Sequence, residues 1–168
     1  MPVVIRPERA GDEAAIGRVH ERAFGRPAEA GFVEAIRDTE AFVPELSLVA
    51  YDEDDIVGHV LLSAVPLDSG VEVLALAPLA VLLERQRQGI GALLVTAALE
   101  RARRTGYPLV VVVGDPAYYR RFGFARASDL GIEAPFPVPE DAWMALALPG
   151  HRPAARARVV YPPAFAGV

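Results

Sequence analysis

The sequence predicts an α/β (α+β) fold: a mixed, mostly antiparallel sheet of about six to seven strands, splayed in the middle and flanked by about four helices. Three observations carry this expectation. Apolar, strand-like runs at residues 46–51, 56–65 and 71–83 follow one another with only turn residues between them, the pattern of an antiparallel meander. An amphipathic stretch opened by Gly89 and Gly91 then leads to a continuous apolar run at 109–113, which reads as a helix returning the chain to a buried parallel strand. Pro78 falls inside the third of the meander runs. A proline cannot donate to a ladder, so it implies a bulge or a splayed edge.

Each element has its own signal. Residues 3–6 read as a short strand stopped by Pro7. Asp12 is a candidate N-cap, followed by Ala14, Ala15, Ile16, Val19, His20 and Ala23 at helical spacing. A second helix is expected from Glu29 to about Thr39, with Phe32, Val33 and Ile36 on one face and Pro44 closing it off. In the third helix, from Gly89 to about Arg104, the apolar stripe is expected to be Ile90, Leu93, Leu94, Ala97 and Ala98. Gly114-Asp-Pro turns into a short helix over 117–122, capped by Gly123. A strand starts at Phe124, residues 128–141 are rich in loops, and 142–148 is a late strand. The tail, 149–168, carries four prolines and an apolar segment at 159–161 that can pack on a partner or on its own sheet. With 168 residues, no internal repeat and no linker, the expectation is one domain over 1–168.

Composition excludes several function classes. The chain has no Cys, so disulfides, thiolate metal sites and a Cys nucleophile are ruled out. Its basic residues are all Arg, which rules out a Schiff-base lysine and a Walker lysine. A net charge of −5 argues against a nucleic-acid partner. No apolar run reaches the roughly 18–20 residues of a membrane helix, and no signal-peptide pattern is present. These features fit a cytoplasmic protein with no membrane partner. His20, His59 and His151 lack metal-ligand spacing, so no metal is expected.

The stretch with chemical content is Leu79 to Leu94. A strand end, a polar loop and a helix N-terminus make an anion site, because the helix start has unpaired donors and a positive dipole end. Three phosphate patterns compete here. A Walker A loop fails for want of Lys, and the dinucleotide fingerprint meets Leu94 where it needs a third small residue. The third, Gln/Arg-x-x-Gly-x-Gly/Ala, is matched by Gln86-Arg-Gln-Gly-Ile-Gly91.

With that motif the chain resembles the GCN5-related N-acetyltransferase (GNAT) superfamily. The order of elements agrees over nearly the whole chain, and Gly114-Asp-Pro-Ala-Tyr-Tyr-Arg-Arg-Phe-Gly-Phe124 is similar to the superfamily's second hallmark. Gly58-His-Val-Leu-Leu-Ser63, Ala77-Pro-Leu-Ala-Val81 and the Tyr-Tyr-x-x-Phe-Gly-Phe run resemble the YhbS-like acetyltransferases within it. The resemblance implies the GNAT fold and an acetyl-CoA-dependent acyltransferase acting on a primary amine of a small molecule or a protein. It implies pantetheine along Leu79, Ala80 and Val81, and the pyrophosphate on Gln86, Arg87, Gln88, Gly89, Ile90, Gly91 and Ala92, with charge from Arg85 and Arg87. A Val81 N–H would meet the thioester oxygen, and Tyr119 would be the general acid. Tyr118, one residue away, would point roughly 100° elsewhere on a helix, and packing is its expected role. With no Cys and no activated Ser, direct attack in a ternary complex is expected. Glu29, His59, Glu72 and a water chain all stand as the base. Acceptor determinants are expected around 24–36 and 128–141. The alternative reading is an acyl-CoA-binding sensor or pseudoenzyme of the same fold, and the chain is expected to be a monomer or homodimer.

Overall fold

The structure, a computed structural model, describes residues 3–151 and 156–168. The chain opens with strand β1 (Val4–Pro7) and helices α1 (Glu13–Phe24) and α2 (Ala28–Arg37). The meander β2 (Phe42–Asp52), β3 (Asp55–Pro66) and β4 (Glu72–Val81) comes next. Helix α3 (Ile90–Ala102), β5 (Leu109–Val113), α4 (Pro116–Arg120), β6 (Ala125–Arg126), β7 (Ile132–Glu133), β8 (Trp143–Ala147) and β9 (Ala157–Arg158) complete it. Seven strands form one mixed sheet in the order β1-β2-β3-β4-β5-β8-β6, with β4 and β5 parallel and the other pairs antiparallel. β7 and β9 form a small second sheet. Among the described residues, no helix is long and apolar enough to cross a membrane.

The sheet is covered on both faces. Helix α3 packs Ile90, Leu94, Val95, Ala98, Leu99 and Ala102 on Leu48, Val60, Leu74, Leu76 and Val110. Helices α1 and α2 bring Ile16, Phe32, Val33 and Ile36 to Val49 and Leu61 on the other face. The α3 stripe is therefore rotated from the expected one. Leu93 is exposed, while Val95, Leu99 and Ala102 are buried. Pro44 does not close α2. It lies inside β2, in a stretch where the pairing with β3 is interrupted between Phe42 and Ser47, so the proline occupies a position freed of ladder duty. Asp12 starts α1 but does not cap it with its side chain. Its carboxylate instead takes the Arg6 guanidinium at 2.7 Å and the Arg9 N–H at 2.9 Å.

Pro78 marks two irregularities together. Val60 pairs with Leu79 and Leu62 with Leu76, so Ala77 and Pro78 bulge opposite the single residue Leu61. On its other side, β4 pairs with β5 only at Leu74–Val110 and Ala75–Val111. Beyond Ala75 the strands separate, and β5 stays with β8 through to Val113–Trp143. The tail settles on this chain. Val159 bridges Leu67, and Phe165 meets Phe32 at 4.6 Å between ring centroids.

Candidate active site

The parted strands open onto a cleft of about 490 Å³ lined by Leu79, Ala80, Val81, Arg85, Gln86, Arg87, Gly89, Ile90, Gly91, Ala92, Tyr118 and Arg121. Most residues singled out in the phosphate loop thus meet in one place, whereas Gln88 does not line it. Gln88 is tied instead to Arg85, whose Nε donates to its Oε1 at 3.1 Å. Arg85 also pairs with Asp52 at 2.7 Å, which neutralises one of the two loop arginines expected to face phosphate.

The ladder decides which strand groups are available. Leu82 N donates to Val57 O at 2.9 Å. In an antiparallel ladder bonded and non-bonded pairs alternate, so Ala80 exchanges its backbone bonds with His59, and Leu79 and Val81 turn theirs toward the open edge. One of those groups is already used: Gln86 Nε2 donates to Val81 O at 3.0 Å. Gln86 folds the loop back onto the strand end, while the Val81 N–H remains directed at the cleft. The loop itself needs unusual backbone. Arg87 and Gly89 have φ of 64° and 83°, and Gly89 takes its left-handed conformation directly before α3, where only glycine does so without steric cost.

Helix α4 forms the facing wall. The Asp115 carboxylate accepts from Ala117 N at 2.9 Å and caps it. Its two tyrosines pack edge to face, with centroids 5.1 Å apart, but reach different partners. Tyr118 reaches α3: its Oη lies 3.0 Å from where a Cβ on Gly91 would stand. Tyr119 turns toward the end of β5, its ring lying against Gly114 and boxed by Tyr118, Phe122 and Phe124 at centroid distances of 5.1, 6.4 and 5.6 Å. Tyr118, not Tyr119, lines the cleft. Burial pushes the Tyr119 hydroxyl well above its ordinary value, so it stays protonated. Burial raises Tyr118 as well, against the opposing charge of Arg121.

None of the three side chains considered as base lines the cleft. His59 is fully buried between His20 and Ser47, with both ring nitrogens engaged at 2.8 Å. Ser47 donates to the Glu8 carboxylate, so its oxygen accepts from His59 Nε2–H and His59 Nδ1 accepts from His20 Nε2–H. This leaves His20 Nδ1 without a partner. Burial lowers both imidazoles, His20 to about 4. Glu29 is held by Arg26, whose hydrogen bonds keep its carboxyl below the usual range. Glu72 begins β4, at the opposite end of the strand from Val81. Sequence reasoning missed Arg121 and the strand-binding role of Gln86. The tail brings the two expected acceptor segments together: Tyr161 stacks on Phe136 at 5.8 Å, and Phe165 touches both Tyr161 and Phe32 at 4.6 Å.

Comparison with known proteins agrees with this geometry. The model of the acetyltransferase (GNAT) family matches residues 14–124, from the first helix through the phosphate loop to Phe124. The chain is 38% identical to the uncharacterized N-acetyltransferase YjhQ of Escherichia coli K12 over 140 residues, which is 79% of this chain and 77% of that protein. Among solved structures, YhbS of Escherichia coli in complex with CoA superposes with a TM-score of 0.82 at 30% identity, covering 94% of this chain and 89% of that one. A GNAT family acetyltransferase from Brucella melitensis in complex with acetyl-CoA gives 0.80 at 32% identity, covering 98% of each chain. The seven-stranded sheet parted between β4 and β5, the glycine loop at the start of α3 and these matches identify the chain as a member of the GNAT acetyltransferase family.

Proposed function

We propose that the protein transfers the acetyl group of acetyl-CoA to a primary amine of a small molecule or protein, by direct attack in a ternary complex. The observation that carries this reading is the open edge of β4 beyond Ala75, which ends in the glycine loop. A pantetheine arm has amides spaced to act as a missing strand, and Leu79 and Val81 offer it edge groups. The backbone amides from Arg87 to Ala92 take the pyrophosphate at the start of α3. That YhbS and the Brucella protein bind CoA and acetyl-CoA supports the same ligand here.

In this mechanism the Val81 N–H polarises the thioester carbonyl. Such a donor lowers the barrier by about 3–4 kcal/mol. The amine attacks the carbonyl carbon, the C–S bond breaks, and Tyr119 returns a proton to the departing thiolate and regains one from solvent; this step requires the sulfur to meet the buried Tyr119 hydroxyl beside the Tyr118 ring that lines the cleft. A free thiol has a pKa of ~8.5 and a phenol ~10. Burial raises the Tyr119 phenol, which keeps it protonated but makes it a weaker acid, so proton return to sulfur depends on the thiolate being desolvated as well. The ammonium proton leaves through water, since His59 is sealed and Glu29 and Glu72 lie away from the cleft. The acceptor enters between residues 24–36 and 128–141. We assign this activity to a cytoplasmic monomer or homodimer.

The test is CoA release from acetyl-CoA, with and without a panel of primary amines. Amine-dependent release, with acetylated product found by mass spectrometry, is expected. Tight acetyl-CoA binding with no acceleration by any amine or protein N-terminus would favour the acyl-CoA sensor instead.

A further inference from the structure

We propose that Arg121 reads the 3′-phosphate of the cofactor and makes the protein selective for acetyl-CoA over acetyl-dephospho-CoA; this rests on the acetyl-CoA reading above. In a chain of net charge −5, the cleft lining contains three arginines and no carboxylate. Arg85 is spent on Asp52. Among the described residues, neither Arg87 nor Arg121 has a carboxylate within ion-pair distance. The cleft therefore keeps two uncompensated cations, one on the loop and one on the α4 wall.

Arg121 is held chiefly by the face of its guanidinium. Its guanidinium lies over the face of Tyr118 at 4.6 Å and that of Phe122 at 5.1 Å. Tyr118 in turn rests against Gly91 in the first turn of α3. Stacking engages the face of a guanidinium and leaves its in-plane N–H fork free for an anion. The loop amides serve the diphosphate, a bridging group approached closely by backbone. The 3′-phosphate is different: a terminal monoester with about −1.5 to −2 charges and three acceptor oxygens. That is the ligand for a presented arginine fork.

The experiment measures the affinities of acetyl-CoA and acetyl-dephospho-CoA by calorimetry for the wild type, Arg121→Met and Arg87→Gln. Methionine keeps much of the apolar contact with Tyr118 and Phe122, and Arg121 is exposed, so thermal midpoints should stay within a few degrees. The wild type should prefer acetyl-CoA by about ten- to a hundredfold, the range of a charge-assisted hydrogen-bonded pair. Arg121→Met should lose most of that preference by weakening acetyl-CoA alone. Arg87→Gln should weaken both ligands alike. An equal loss for both ligands in Arg121→Met, or no discrimination in the wild type, overturns the assignment. So does a loss of discrimination confined to Arg87→Gln. If the wild type binds neither ligand, the acetyl-CoA reading itself has failed, and that outcome is distinct from all of these.

Discussion

Gly114→Ala should slow catalysis without touching the cofactor loop. A Cβ at this position would run into Tyr119 Cε2, with Cδ2 at 2.9 Å and Cζ at 3.5 Å. Nonbonded carbons sit best at about 3.5–4.0 Å, so the ring must withdraw by roughly 1 Å. It cannot do so freely, because Tyr118, Phe122 and Phe124 enclose it. The backbone gives little either, since Gly114 N is tied to Ala142 O at 3.0 Å. Overpacking of this kind costs about 1–3 kcal/mol, or a fall in Tm of roughly 2–12 °C for a chain of this size. The same displacement carries the Tyr119 hydroxyl away from the position expected for the leaving sulfur, and a 1 Å error there costs on the order of 100-fold in rate. Steady-state kinetics should show kcat down by about 10- to 100-fold, with acetyl-CoA affinity held within about twofold because no loop group moves. If Gly114 acts through Tyr119, then Gly114→Ala in a Tyr119→Phe background adds little further loss. Full kcat in a folded Gly114→Ala protein would refute the positioning argument, and additive losses would refute its route through Tyr119.

Tyr119→Phe removes the donor while keeping the ring, so turnover should fall by about 100-fold or more with acetyl-CoA affinity unchanged; a large loss of affinity would refute its assignment as the acid. Gly89→Val forces a β-branched residue to φ 83°, and Gly91→Val pushes into the Tyr118 hydroxyl; each should abolish CoA binding by calorimetry, and intact binding would sink the loop assignment. Stability should fall as pH drops from about 6.5 toward 4. His20 and His59 are neutral when folded and are lowered below the value of the unfolded chain, so in this window the unfolded state takes up more protons. The loss from His20 alone is about 3 kcal/mol. Urea midpoints at pH 7.5, 5.5 and 4.5 measure it, and His20→Gln, whose amide can still donate to His59, should flatten the decline.

The phosphate loop was legible because its chemistry is local. Glycine at 89 and 91, the absence of Lys and the strand before them are all one-dimensional facts. The face of α3 was harder to read. From Ala92 to Leu99 every residue but Thr96 is apolar, so periodicity cannot choose between Leu93 and Leu99. Only contact with β2, β3 and β4 settles the rotation. Pro44 misled because a proline after a helix and a proline in a bulged strand look alike in sequence. The role of Gln86 was hidden for another reason: its partner is a backbone carbonyl whose direction depends on ladder alternation. Arg121 was missed because nothing in the sequence sets it apart from Arg120 beside it; only the packing of α4 against Gly91 brings it to the cleft. The histidines were half legible. His59 sits in an apolar strand, where a structural histidine is common, but the partners that fix it come from α1 and β2, distant in sequence.

The site follows from a conflict of pairing in the sheet. Val110 and Val111 accept two partners each, one in β4 and one in β8. Past them β5 continues with β8, while β4 bulges at Ala77 and Pro78 and stays with β3. An open strand edge invites association with other chains. Here the exposed groups are reduced to a few. Pro78 has no N–H, Ala80 is satisfied by His59, and the Val81 carbonyl is taken by Gln86. What is left beside the loop, which favours anions, is the Leu79 pair and the Val81 N–H. A strand is too long for that gap and a bare phosphate too short. A flexible arm with amides at one end and a diphosphate at the other satisfies both ends together. Pairing between β4 and β5 beyond Ala75 would erase the cleft while leaving every residue of the glycine loop in place. The catalytic capacity of the fold therefore resides in the missing half of one ladder as much as in any side chain.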